Sequence, residues 1–267
     1  MERLKEIERS IIKKYRKEIW SKYVKGVKEF EMIKENDKIA VCISGGKDSF
    51  LLAKCMQELL RHKKFHYELE FIVMNPGYNE ENIIKIKENL KILGIDAHIF
   101  DTPIFDVADK TDNPCYLCAR MRRGYLYSYA QKLGCNKIAL GHHFDDVIET
   151  ILMNILYTGN YASMMPKLHS DNFEGMELIR PLYFVREKDI KSWAKYNGLE
   201  FIDCACSVTK KKIGKRQEVK ELVQKLNEMY KEADKCIFAS SFNVNLNTVI
   251  GYKKGNEKYT FMDDYDM

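Results

Sequence analysis

The chain has 267 residues, 45% of them hydrophobic and 31% charged, enough for a sizeable core in one large domain or one domain with an appendage. No apolar run approaches the roughly 18 residues of a membrane helix, and the opening MERLKEIERS is charged where a secretory signal would be apolar. A cytoplasmic setting is the expectation. Net charge is +5 and unevenly placed: residues 1–34 hold 11 Lys/Arg against 6 Asp/Glu, and the remainder sums to zero.

Residues 2–34 carry Leu4, Ile7, Ile11, Ile12, Tyr15 and Ile19 at helical spacing, which predicts one or two basic amphipathic helices. Their charge fits either contact with a phosphate backbone or a solvated helix face. Five short β-rich runs follow: KIAVCIS (38–44), LEFIVMN (69–75), DAHIFD (96–101), KIALGHH (137–143) and LIRPLYF (178–184). Helical patterns lie between them, over 50–61, 80–93 with Gly94 as C-cap, 116–133 and 145–157. Further helices are predicted over 187–196 and around 214–232. Strands alternating with helices predict an α/β fold, a parallel sheet with helices on both faces and helical additions at both termini. The domain expectation is a basic helical arm (1–34), a nucleotide-binding domain (35–200) and a C-terminal cysteine segment with basic helix and tail (201–267).

Ligands of such sheets bind at the C-terminal strand ends, which selects ISGGKDS, NPGYN and GHHFDD. The first is neither common nucleotide loop. Gly46-Lys47 is followed by Asp48, and Val41 stands where the first Walker glycine would be; the adjacent glycines also break G-x-G-x-x-G. Its physics is still that of a phosphate turn. Ser44 to Ser49 join a buried strand to a helix N-terminus, where unpaired N–H groups and the dipole favour an anion. Gly45 and Gly46 permit close approach, Lys47 supplies a cation, and the Ser44 and Ser49 hydroxyls can donate. In GHHFDD, tandem histidines point to opposite faces of a strand. His142 and Asp145 are taken as site residues; Asp146 and Glu149 are taken as structural. Carboxylates here could cap the helix or hold Mg²⁺ beside phosphates.

The chain has 8 cysteines. Cys42, Cys55 and Cys135 are assigned to packing. Cys115 and Cys118 form a C-x-x-C open to a zinc half-site, a redox pair or an iron–sulfur site. Cys204 and Cys206 are too close for usual zinc spacing, and a three-cysteine iron–sulfur site fits if one of them folds back.

SGGKDS after a first strand resembles the pyrophosphate loop of ATP pyrophosphatases. With C-x-x-C, GHHxDDxxET, RPL (180–182), a late cysteine and IFASSFNVNLNTV, it is similar to the tRNA 2-thiocytidine synthetase family over about residues 20–250. The family's late segment, like IPCNLC, reads FIDCAC here; Cys204 matches its first cysteine, Cys206 is one residue early for the second, and Asp203 replaces proline. The resemblance implies an adenine-nucleotide-hydrolase-like fold, and ATP held by Ser44, Gly45, Gly46, Lys47, Asp48, Ser49, Met74 and Gly141. It implies catalytic roles for Lys47, Asp48, His142 and Asp145, with Mg²⁺. A four-iron four-sulfur cluster would be held by Cys115, Cys118 and Cys204. Implied partners are tRNA, a sulfur donor such as a cysteine desulfurase, and a second copy in a homodimer. Arg120, Arg122, Arg123, Lys210 to Lys212, Lys215 and Arg216 are candidate RNA-phosphate contacts, at least half of them expected to be solvated helix faces; Tyr125, Tyr127 and Tyr129 are read as mostly core and partner-surface residues. Two other readings stay open: a related ATP pyrophosphatase acting on another acceptor, and a non-catalytic iron–sulfur or zinc RNA-binding protein. Clustered cysteines argue against an amine ligase, and intact Lys47, Asp48 and Ser49 against a relic loop.

Overall fold

The computed structural model describes residues 2–62, 66–108, 114–202, 214–263 and 265. Six strands form one sheet in the order β3-β2-β1-β4-β6-β5. They are β1 (Lys38–Ile43), β2 (Glu68–Asn75), β3 (His98–Asp101), β4 (Lys137–Ala139), β5 (Lys167–His169) and β6 (Glu177–Ile179). β1 pairs in parallel with β2 and β4, and only β5 runs antiparallel, against β6. From β1 the chain moves outward to β2 and β3, then returns to place β4 on the other side of β1. The loops after β1 and β4 therefore part company, opening a crevice at the switch point.

Alternation along β1 sends its side chains to two cores. Ile39, Val41 and Ile43 join the larger cluster, with Phe50 and Leu51 of α3 (Lys47–Arg61) and Trp193 of α8 (Glu187–Tyr196). Ala40 and Cys42 join the smaller one, with Tyr127 and Ala130 of α6 (Pro114–Lys132). Helices thus cover both faces, as the pattern predicts. α4 (Glu80–Ile92) is capped at Asn79, whose side chain accepts from the Asn82 amide, and α5 (Ile104–Ala108) is short.

The N-terminal segment is α1 (Glu2–Ile12), a π-helical turn (Arg16–Trp20) and α2 (Ser21–Glu29). Ile7, Ile11, Ile19 and Tyr23 are buried in the larger core. The Trp193 indole donates to Ser10 Oγ at 3.1 Å, and the Tyr15 hydroxyl to Ser192 O at 2.9 Å. These residues are integral to the core, and Glu8 reaches inward to pair with the buried Lys54 at 2.7 Å.

Two strand expectations are too long. Lys137–His143 pairs only as far as Ala139, and 178–184 only as far as Ile179. Pro181 has no N–H to offer a ladder, and the chain turns there, with Tyr183 N donating to Arg180 O at 3.1 Å. After α7 (Phe144–Thr158) and α8 come α9 (Lys215–Met229), α10 (Ala233–Ser240) and an exposed hairpin, β7 (Gly251–Lys254) with β8 (Glu257–Thr260). The hairpin and β5 carry no strong period-2 signal, being three or four residues long. No described helix is long and apolar enough to cross a membrane.

Candidate functional site

The turn after β1 is shaped by what its glycines lack. Gly45 has φ +88°, and a Cβ there would lie 2.5 Å from Ile202 Cδ1 and 2.9 Å from Ile86 Cγ1. Gly46 caps α3 in extended conformation with no side-chain hydrogen bond, so first-turn amides remain available to an anion. Ser49 Oγ accepts from Ser44 N at 3.1 Å and donates to Gly46 O at 2.8 Å, which fixes the loop from within. Across it, a Cβ on Gly141 would meet the Asp48 and Ser49 backbone at 3.0 Å, so the chain leaving β4 approaches the turn this closely because residue 141 is glycine.

Lys47 Nζ sits 3.2 Å from both Asp48 Oδ2 and Glu187 Oε1. Burial would lower its pKa, but these two carboxylates raise it above the ordinary lysine value. Glu187 also receives Lys191 at 3.1 Å and Lys220 at 2.6 Å. Burial acts against its ionisation, yet the lysines hold its pKa down to about 2.

Two cavities flank the turn. The larger, about 930 Å³, runs along the strand ends, from Met74 on β2 past Ser44, Asp48, Gly141 and His142 to Arg180 after β6. Arg120, Arg122, Arg123 and Tyr127 of α6 wall one side, and the β5–β6 turn with Phe173 closes the far end. The smaller, about 740 Å³, lies on the other side of the loop, among Gly46, Lys47, Lys191, Lys195 and Ile202; Ser44, Asp48, Tyr78 and Arg122 border both. Four buried polar atoms on the larger wall have no hydrogen-bond partner among the described residues: Asp48 Oδ1, Arg122 Nε, His142 Nδ1 and Arg180 Nε. Leaving such groups unpaired costs about 1–3 kcal/mol each, so the cavity is built for a polar occupant that brings both acceptors and donors or a cation.

The start of α7 separates two roles. His143 Nδ1 accepts from the Asp146 amide while Asp146 Oδ2 accepts from His143 N at 2.9 Å, a reciprocal cap. Burial pushes the His142 imidazole down to about 4 against the opposing pull of Asp146; at neutral pH it is an uncharged hydrogen-bonding group. Burial works against Asp146 ionisation, but His143 and Arg216 keep its pKa below the usual carboxylate value.

Residues 15–226 match the family described as the PP-loop domain. The tRNA-cytidine(32) 2-sulfurtransferase of Syntrophotalea carbinolica is 39% identical over 208 residues, covering 76% of this chain and 80% of that protein. The enzyme of the same name from Citrifermentans bemidjiense is 36% identical, covering 83% and 88%. Among solved structures, the U34-tRNA thiolase of Methanococcus maripaludis with its 4Fe-4S cluster superposes with a TM-score of 0.66 at 23% identity, over 88% of this chain and 80% of that one; this likeness bears on the fold. The chain belongs to the tRNA-cytidine(32) 2-sulfurtransferase family.

Within that family frame, the structure gathers Ser44, Asp48, Ser49, Met74, Gly141 and His142 on one cavity, while Gly46 and Lys47 face the other. Gly45 lines neither and serves by its conformation. Asp145 also lines neither: its Oδ2 accepts from Glu187 N at 2.7 Å, and Arg186 stands 3.5 Å from its Oδ1. Asp146, read from sequence as structural, does cap the helix and also reaches the larger cavity. Arg180 enters the cavity too, though sequence reading noted it only within RPL; what marks it is a buried cation, which a one-dimensional pattern does not show.

Cys42, Cys55 and Cys135 are buried. Burial holds the Cys42 and Cys55 thiols far above their usual pKa and Cys135 up at about 11, which suits packing. Cys118 is half-buried on α6, one turn before Arg122. The Cys115 side chain, Cys204, Cys206 and Lys210 to Lys212 lie outside the described residues. Tyr127 is buried and stacks on Phe173, Tyr129 stacks on Phe100, and Tyr125 is exposed. Arg216 is engaged by Asp146 at 3.1 Å and Glu149 at 2.8 Å.

Proposed function

We propose that this protein uses ATP to replace the C2 oxygen of a tRNA cytidine with sulfur. The observation that carries the reading is the convergence of four unpartnered buried polar atoms on one cavity beside an uncapped helix N-terminus, in a chain of this family. The cytosine oxygen is a poor leaving group. Its attack on the α-phosphorus would form an O–P bond and break the bond to pyrophosphate. The α3 amides and Lys47 would bear the charge of the departing pyrophosphate. Attack at C2 by sulfur at the sulfide level would then break the C–O bond and expel AMP with the oxygen. Neutral His142 would hold a substrate group by hydrogen bonding. The base must be splayed out to enter, as single-stranded loops allow.

Two observations support the implied inorganic groups. Cys115 and Cys118 sit one helical turn apart at the start of α6, on one face. Arg122, one turn on, and Ile202, two residues before Cys204, border the same smaller cavity. Cys115, Cys118 and Cys204 would hold a four-iron four-sulfur cluster, which when bound would supply sulfide at an iron that no protein thiolate occupies. For Mg²⁺, Asp48 offers a carboxylate oxygen without a hydrogen-bond partner, 3.8 Å from His143 Nε2, whereas Asp145 is taken by a backbone amide and Arg186. A cysteine desulfurase would be one source of sulfur, and a homodimer is the proposed assembly.

The test is anaerobic purification with iron and zinc analysis, followed by incubation with tRNA, Mg-ATP and sulfide. We expect an iron–sulfur chromophore, AMP and pyrophosphate, and 2-thiocytidine in the digested tRNA. ADP with orthophosphate, or a colourless protein with stoichiometric zinc, would overturn the reading. Cys115→Ala should abolish thiolation and leave ATP affinity within about twofold; a large loss of ATP affinity would show that the two roles are not separable.

A further inference from the structure

The glycine turn accounts for an anion at β1. It does not account for Arg180, which follows the last residue of β6. β6 lies two strands from β1 in the sheet, so about 10 Å away at ~4.8 Å per strand. Arg186 pairs with Asp234 and Asp145, and the more exposed Arg216 with Asp146 and Glu149. Among the described residues, Arg122 on the same cavity wall shares the lack of a carboxylate partner with Arg180, but it projects from α6 rather than from a strand end. Arg180 has no carboxylate within ion-pair distance among the described residues. One of its NH₂ groups donates to Met165 O, and its Nε is buried without a partner. Burial lowers the guanidinium pKa to about 10, which still leaves it charged at neutral pH. Its cavity neighbours include Tyr127, Leu178, the neutral His142 and, beyond ion-pair distance, Asp146, whose carboxylate is already engaged by Arg216. A fixed cation with a spare donor in such surroundings is costly until an anion arrives.

We propose that Arg180 is a catalytic residue that binds the α-phosphoryl group of ATP, while the glycine turn holds the pyrophosphate half. The assignment rests on the ATP-dependent reading above. A triphosphate at the turn extends along the strand ends, and the phosphoryl group nearest the nucleoside is the one that can meet a cation two strands away. That group is central to both chemical steps. Its oxygens carry charge while the acceptor oxygen bonds to phosphorus and pyrophosphate departs with its electron pair. They carry it again when the C2–O bond breaks and AMP leaves. One planar, permanently charged donor set serves both steps without gaining or losing a proton. Arg180 would thus act where the acceptor and the nucleotide meet.

Equilibrium binding of AMP, pyrophosphate and ATP to the full-length protein, each with Mg²⁺, tests this, alongside single-turnover AMP release. Arg180→Gln should weaken AMP and ATP about 10- to 100-fold, the range of a charged hydrogen bond. Pyrophosphate affinity should stay within about twofold, which also reports that the turn is folded. AMP release should slow by about 10²- to 10³-fold. Arg180→Lys, which keeps the charge and loses the fork, should fall between, and it carries the test if the glutamine variant does not fold. Unchanged AMP affinity, or equal losses for AMP and pyrophosphate, would overturn the assignment alone. Wild-type protein that binds neither ligand would sink the functional reading and this one together.

Discussion

Two neighbouring regions treat their charges in opposite ways. Along the strand-end cavity, Asp48, His142, Arg122 and Arg180 each leave a buried polar atom without a partner among the described residues. At the base of α7, a few residues away, charges are matched: Asp145 with Arg186, Arg186 with Asp234, and Asp146 and Glu149 with Arg216. Both regions are rich in Asp and Arg, so composition does not distinguish them. Charge pairing does. In the matched network every charge has an opposite charge within ion-pair distance, although Arg186 Nε itself lacks a hydrogen bond. Such a network acts as scaffold, whereas a wall of unmet groups is completed by a ligand.

This contrast can be broken by substitution. Lys47→Ala should reduce AMP formation about 10²- to 10³-fold with little loss of stability, because Glu187 keeps Lys191 and Lys220. Quench-flow and thermal melts check both parts, and a large drop in Tm would move Lys47 into the scaffold. Arg186→Ala should do the reverse. It strands Asp234, whose side chain is 8% exposed, at a cost of about 3 kcal/mol, with ATP affinity nearly preserved; urea titration and calorimetry would show it. Gly45→Ala should cost about 1–2 kcal/mol for its left-handed backbone, more if Ile202 cannot move aside, and should weaken ATP as well.

The last effect concerns pH and appears only in acid. The His142 imidazole titrates near 4 in the folded protein against an ordinary value of 6.5, so the unfolded chain binds more protons between these values. Stability is therefore fully present above pH 6.5 and is lost as pH falls towards 4. His142→Gln should flatten that part of a urea-midpoint profile, and an unchanged slope would assign the dependence to other groups.

The fold was legible wherever a segment was long and strongly periodic. β1, α3, α4 and α8 lie within a few residues of where alternation, helical spacing and caps put them. β4 and β6 stop short because chain direction near a ligand site is set by turn geometry and by Pro181, which apolar content alone conceals. β5 exists only because β6 offers it an edge. In the site, the glycine turn could be read from local chemistry. Choosing between Asp145 and Asp146 could not, because adjacent carboxylates on a helix differ by about 100° of rotation, and the deciding partners, Arg186 and Arg216, come from 41 and 70 residues away. Arg180 was concealed for the same reason: its distinction is a missing neighbour.

Gly45 has a second reader besides a phosphate. The space where its side chain would be is filled by Ile202, the last described residue before the stretch that bears Cys204. One hydrogen atom in place of a methyl group therefore sets how near Ile202 can come to the turn. Enlarging that position would act as a spacer between the glycine turn and the point where the chain leads on to Cys204.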